Sequence, residues 1–117
     1  MAITEITKEN MDTEFKACPT LAVLDFWGPK CGPCMALMPK YHELAENAKY
    51  EGKVKFCSVD TSKNRRVAIA FKVMSQPTFL FWKDGAEVAR LGGDDLTIEA
   101  ITAKVDELCA SGAAQGW

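Results

Sequence analysis

Cys31 and Cys34, with Gly32 and Pro33 between them, are the residues of this chain best placed by type and spacing to do chemistry. Gly32 and Pro33 are expected to open a helix, since proline suits the first helical turn, where a missing N–H costs nothing. Residues three apart on a helix are neighbours, so the two sulfurs can meet at a Cα separation that a disulfide tolerates. A helix N-terminus also carries partial positive charge and unpaired N–H groups. Both stabilise a thiolate, the nucleophilic form of cysteine. Cys31 stands at the helix end and is expected to be exposed; Cys34 stands one turn in and is expected to be covered. On that asymmetry Cys31 attacks a disulfide, and Cys34 then attacks the sulfur of Cys31 and releases the reduced product.

Two other uses of the pair are weaker. A metal site needs four ligands, typically with a second close pair, and Cys18, Cys57, Cys109 and His42 supply none. A bridge across so short a loop restrains the unfolded chain little, which argues against an inert staple. Asp25, the one charge in the run TLAVLDFW, lies six residues before Cys31. Open α/β sheets place their sites at the C-terminal edge of the strands. A buried carboxyl tends to be held neutral, and one at this edge could accept the proton of Cys34.

These side chains need a frame to hold them. With 117 residues the chain fits one domain able to bury a core without disulfides or metals. A composition of 48% hydrophobic and 26% charged residues, at net charge −2, is that of a globular protein and does not point to nucleic acid or an anionic membrane. The basic run Lys63-Asn64-Arg65-Arg66 is expected to be a solvated helix face. MAITEITKEN lacks a basic segment followed by an apolar one, so no signal peptide is expected, and no apolar run is long enough to span a bilayer. A cytoplasmic, monomeric protein is expected.

The hydrophobic pattern predicts strands over residues 2–6, 20–27, 54–60 and 77–82, with a returning strand over 87–92 after a turn at Lys83-Asp84-Gly85. The 20–27 run is almost continuously apolar, as in a strand covered on both faces. Helices are predicted from Thr7 to about Cys18, from Gly32 to about Tyr50 with a kink at Pro39, over 64–72 with Ser62 or Thr61 as cap, and from Asp95 to about Cys109. The order β-α-β-α-β-α-β-β-α implies parallel strands with right-handed crossovers and a hairpin that makes the sheet mixed. Cys57 and Cys109 are expected to be buried. Cys18, in a loop before Pro19, is expected to be exposed. The segment SGAAQGW is expected to fray.

Beyond these local readings, the chain resembles the thioredoxin family. The carriers are DFW at 25–27, CGPC at 31–34, Pro39, VD at 59–60, QPTFLFWKDG at 76–85, and Gly92. The resemblance implies an α/β thioredoxin fold over residues 1–110, a central mixed sheet of about five strands flanked by about four helices, with a tail at 111–117. It implies a protein-disulfide reductase in which Cys31 is the nucleophile, Cys34 the resolving thiol and Asp25 the buried proton acceptor. It implies a cis bond before Pro77, and a shallow groove of Trp27, Lys30, Gly32, Pro33, Gln76, Pro77 and Gly92, where the backbone of Gln76 pairs with substrate. Partners implied are disulfide-containing client proteins and, as electron donor, a thioredoxin reductase using flavin and NADPH. The chain has no glycine-rich nucleotide fingerprint and is expected to carry no cofactor.

Three positions depart from the family pattern. Lys30 stands where the family usually has Trp, Gln76 where it usually has a β-branched apolar residue, and Phe56 where many members place a Lys near the buried Asp. Lys30 reads either as a solvated loop lysine or as an ammonium that favours the Cys31 thiolate and makes the pair more oxidising. Two other functions are alternatives: a more oxidising thiol oxidase or disulfide isomerase, and a redox-inactive peptide clamp, against which the intact cysteine pair and Asp25 argue.

Overall fold

The computed structural model describes the backbone of residues 3–114 and the side chains of residues 3–110. Five strands form one sheet in the order β1-β3-β2-β4-β5. They are β1 (Thr4–Glu5), β2 (Leu21–Trp27), β3 (Val54–Asp60), β4 (Thr78–Lys83) and β5 (Ala86–Gly92). β3 runs parallel to both β1 and β2, whereas β4 is antiparallel to β2 and to β5. The mixed sheet thus follows the expected alternation and closing hairpin.

Side chains of β2 alternate between two cores, as the period of a strand requires. Ala22, Leu24 and Phe26 meet Phe15, Val67 and Phe71 on one face. Leu21 and Val23 meet Leu37, Tyr41, Ile101 and Val105 on the other. The first face is covered by a π-helical segment (Met11–Lys16) and α2 (Arg65–Ala70), the second by α1 (Gly32–Ala45) and α3 (Ile98–Ala114). Tyr41 anchors α1 to the sheet: its hydroxyl donates to the Cys57 carbonyl at 2.8 Å and lies 3.3 Å from the Val23 carbonyl.

Helix ends differ from expectation where side chains offer the backbone another partner. The helix expected from Thr7 is present as the Met11–Lys16 segment, preceded by a turn in which Thr7 and Asn10 bond each other reciprocally, side chain to backbone N–H, as in a capping box. α1 ends at Ala45, and a separate 3₁₀ turn (Ala48–Tyr50) begins under the Asn47 side chain, which accepts from the Lys49 N–H. α1 runs through Pro39 without interruption. α2 spans only Arg65–Ala70, with Asn64 at its N-cap making no side-chain cap bond; neither Ser62 nor Thr61 caps it. α3 starts at Ile98 and continues to Ala114, five residues past Cys109, while residues 115–117 of the expected tail lie outside the described residues.

The free cysteines correct two expectations. Cys18 is buried, at 9% exposure, because the chain folds it into the core beside Ala22 and Cys57. Cys109 is half-buried at the rim of the other core. Cys57 is fully buried, and burial pushes its thiol up to about 12. Among the described residues no helix is long and apolar enough to cross a membrane.

Candidate active site

β2 ends at Trp27, and the chain turns through Gly28, Pro29 and Lys30 into α1. Cys31 is the N-cap of that helix, with Pro33 in its first turn. The Cys34 N–H donates to the Cys31 sulfur at 3.2 Å, so a helix-end N–H that would otherwise be unpaired reaches the sulfur. The two cysteines are joined in a disulfide with their Cα atoms 5.3 Å apart. Cys31 is half-exposed, and Cys34 is buried at 1% exposure. The expected asymmetry between the two sulfurs is therefore present. It arises because Cys34 is one turn into a helix whose next inward residues, Leu37 and Tyr41, pack on the sheet.

Asp25 shares the parity of Leu21 and Val23 on β2, which puts it on the α1 face. It is 1% exposed, and neither carboxyl oxygen has a hydrogen-bond partner among the described residues. Burial raises its pKa from 3.8 to about 8. Among the described residues no counter-charge offsets that effect, and Phe56 stacks edge-on against Tyr41 and Tyr50. Asp25 in turn contributes, after burial itself, to raising the Tyr41 phenol well above its usual range.

The other wall is the loop before β4. The Gln76–Pro77 bond is cis. Gly92 pairs with Thr78 across β4 and β5, and a Cβ there would lie 3.0 Å from the Pro77 carbonyl oxygen, so glycine permits the close approach. The Gly93 N–H donates to that same oxygen at 3.3 Å.

A hydrogen-bonded chain that the sequence did not suggest joins this loop to the cysteine loop. The Gln76 side-chain amide donates to the Thr61 hydroxyl. That hydroxyl donates to the Trp27 carbonyl at 3.1 Å, and the Thr61 N–H reaches the same oxygen at 2.9 Å. Gln76 Oε1 meanwhile fills the space beside Gly28, where a Cβ would lie 2.7 Å from it. The departure at position 76 thus has a structural use: a polar side chain ties the cis-proline loop to the end of β2. The one signal of it in the sequence is the unusual Gln itself, which by its type alone names no partner.

A groove of about 990 Å³ runs beside Cys31, lined among others by Lys30, Gly32, Pro33, Thr61, Arg65 and Gln76. Trp27, Pro77 and Gly92 are absent from its lining: Trp27 is half-buried, Pro77 buried and Gly92 exposed. A second cleft of about 490 Å³, lined in part by Cys18, Tyr50 and Phe56, includes none of the CGPC residues. Among the described residues no cluster of three His, Cys, Asp or Glu side chains could hold a metal ion.

Comparison with known proteins agrees with this geometry. The thioredoxin family model matches residues 2–107. The chain belongs to the thioredoxin family. Thioredoxin of Peptoclostridium acidaminophilum is 40% identical over 103 residues, covering 88% of this chain and 92% of that protein. Thioredoxin of Acetoanaerobium sticklandii is 37% identical over 101 residues, covering 86% and 94%. A solved structure of Malassezia sympodialis thioredoxin is 23% identical and covers 92% of this chain and 91% of its own, with a TM-score of 0.81. That likeness bears on the fold alone. Family membership together with the bonded Cys31–Cys34 pair makes the chain a thiol–disulfide oxidoreductase that reduces protein disulfides.

Proposed function

We propose that Cys31 is the attacking sulfur and Cys34 the resolving one. The observation that carries this is the pair's placement at the start of α1, with Cys31 half-exposed and its sulfur accepting from a helix N–H, and Cys34 buried. The Cys31 thiolate attacks one sulfur of a client disulfide, forming a mixed disulfide and expelling the other client sulfur as thiolate. Cys34 loses its proton to Asp25 and attacks the Cys31 sulfur, which forms the Cys31–Cys34 bond and releases the second client thiolate. Two electrons pass from the pair to the client. A carboxyl with a pKa of about 8 suits both directions of that proton transfer near neutral pH.

Lys30, Gly32, Pro33 and Gln76, which line the groove, would receive the client segment, with the backbone at Gln76 as its partner; Trp27, Pro77 and Gly92, outside that lining, would support it from the end of β2 and the cis-proline loop. The electrons are restored by a thioredoxin reductase using flavin and NADPH, in the cytoplasm, and the protein acts as a monomer with residues 1–110 as its working domain. Lys30, exposed and adjacent to Cys31, favours the thiolate and draws the couple toward the oxidising side. An isomerase-like role would follow from a large shift of that kind.

Trapping tests the assignment. A Cys34→Ser variant mixed with disulfide-containing proteins should accumulate adducts through Cys31 that a small dithiol releases, and Cys31→Ser should form none. Full turnover by Cys34→Ser, or adducts on Cys31→Ser alone, contradicts these roles.

A further inference from the structure

Two cations and one methionine in the groove beside Cys31 have no structural work that accounts for them. Lys30, from the loop after β2, and Arg65, the first residue of α2, both line it and are both exposed. Neither forms an ion pair with a described residue. Asp94, from the loop after β5, is the single acid in the lining, so the groove keeps an excess of positive charge in a chain of net charge −2. Met74 lines the same groove and is 94% exposed, more than Met35, Ile69 or Val88. An exposed apolar side chain beside a reactive sulfur is a contact surface, and methionine adapts to varied partners. Val73 and Ala68 extend that apolar strip into the groove.

We propose that this groove selects disulfide segments bearing a carboxylate side chain and an apolar side chain close to the attacked cysteine, with Arg65 and Met74 as specificity-determining residues. The proposal rests on Cys31 being the attacking sulfur. A polypeptide fits better than a polyanion: nucleic acid calls for a continuous basic track, and here two cations share the groove with an acid and an apolar strip. Arg65 is set apart from Lys30 by its position. It lies on α2 and lines the groove from an element other than the cysteine loop, and any effect it has on the Cys31 thiol is common to all clients and leaves their ratio unchanged.

Four disulfide-linked peptides, differing only in Glu or Lys and in Leu or Ser beside the cysteine, provide the test. Ratios of kcat/KM between peptides, each normalised to the rate of the same peptide with a small dithiol, are the readout, because the peptides' own reactivity then cancels. The wild-type chain should favour Glu over Lys by about threefold to tenfold, as expected for partly solvated charge pairs. Arg65→Gln should shrink that ratio and Arg65→Glu should abolish or invert it, and added salt should weaken it in the wild type. Met74→Ser should lower the Leu-to-Ser ratio while leaving the Glu-to-Lys ratio in place. Equal rates on Glu and Lys peptides in the wild type, or a ratio unmoved by Arg65→Glu, overturn the charge assignment; a Leu-to-Ser ratio unmoved by Met74→Ser overturns the apolar one. Failure of the wild type to reduce any of the four overturns the Cys31 reading and this proposal with it, an outcome distinct from reduction without discrimination.

Discussion

Replacing Asp25 by Asn should stabilise the disulfide form of the protein while impairing its turnover. In the folded state the carboxyl is buried and its pKa rises from 3.8 to about 8. An acid with a raised folded pKa binds more protons folded than unfolded between those values, so it removes stability as pH climbs through them. The penalty is absent below about pH 4, grows through neutral pH and levels off above about pH 8. At about 1.4 kcal/mol for each pH unit above the unfolded value, it reaches roughly 4 kcal/mol at pH 7. A protonated carboxyl and an amide are close in shape and bury similar polar groups, so the variant keeps the packing and loses only the proton-linked penalty. Urea unfolding of both proteins in the disulfide form, at a series of pH values from about 4 to 9, measures the difference directly. The two stabilities should coincide at the acid end and diverge to roughly 4 kcal/mol near pH 7. Taking the difference removes the contributions of Cys57 and Tyr50, whose raised pKa values are common to both proteins; Tyr41, raised mainly by burial and in part by Asp25, stays neutral in both over this range. A constant difference across this range would mean that Asp25 is solvated or paired in solution, and the proton-acceptor role would lose its basis. Meanwhile the release of client from the Cys31 adduct should slow by about two orders of magnitude, the lower end of what a general base contributes.

Three further outcomes follow from the geometry. Lys30→Trp should lower the reduction potential, by about 30 mV for a tenfold change in the exchange equilibrium; equilibration against a dithiol buffer reads this, and an unchanged or higher potential removes Lys30 as a tuning residue. Tyr41→Phe should cost about 1–2 kcal/mol in urea unfolding, since the buried Cys57 carbonyl loses its 2.8 Å donor; no loss would mean that the phenol contributes only its ring. Gly28→Ala should displace Gln76, whose Oε1 lies 2.7 Å from the new Cβ, and so detach it from Thr61. In a double-mutant cycle with Gln76→Ala the two changes should be non-additive by about 0.5–3 kcal/mol, and strict additivity would show that the clamp is not coupled to Gly28.

Local patterns carried much of the fold because they depend on neighbours a few positions away. The β3 range 54–60, the hairpin at Asp84-Gly85 and the cysteine pair at a helix start were all legible in this way. The same logic failed at the end of α1, where the Asn47 side chain accepts from the Lys49 N–H and starts a separate turn. Cys18 departs from expectation for a related reason: a cysteine before a proline looks like an exposed loop residue until the core that closes over it is known.

By itself, the sequence determined that two sulfurs would share the first turn of a helix after a strand covered on both faces. Proline, glycine and an unbroken apolar run dictate that much through local sterics and hydrophobic period. Only the tertiary structure decided what surrounds those sulfurs. It left Asp25 without a described hydrogen-bond partner, set the bond before Pro77 cis, joined Gln76 through Thr61 to Trp27, and brought Arg65 and Met74 into the groove of Cys31. The desolvation that raises a carboxyl, and the contacts that join two loops, depend on segments distant in the chain. No local pattern encodes them.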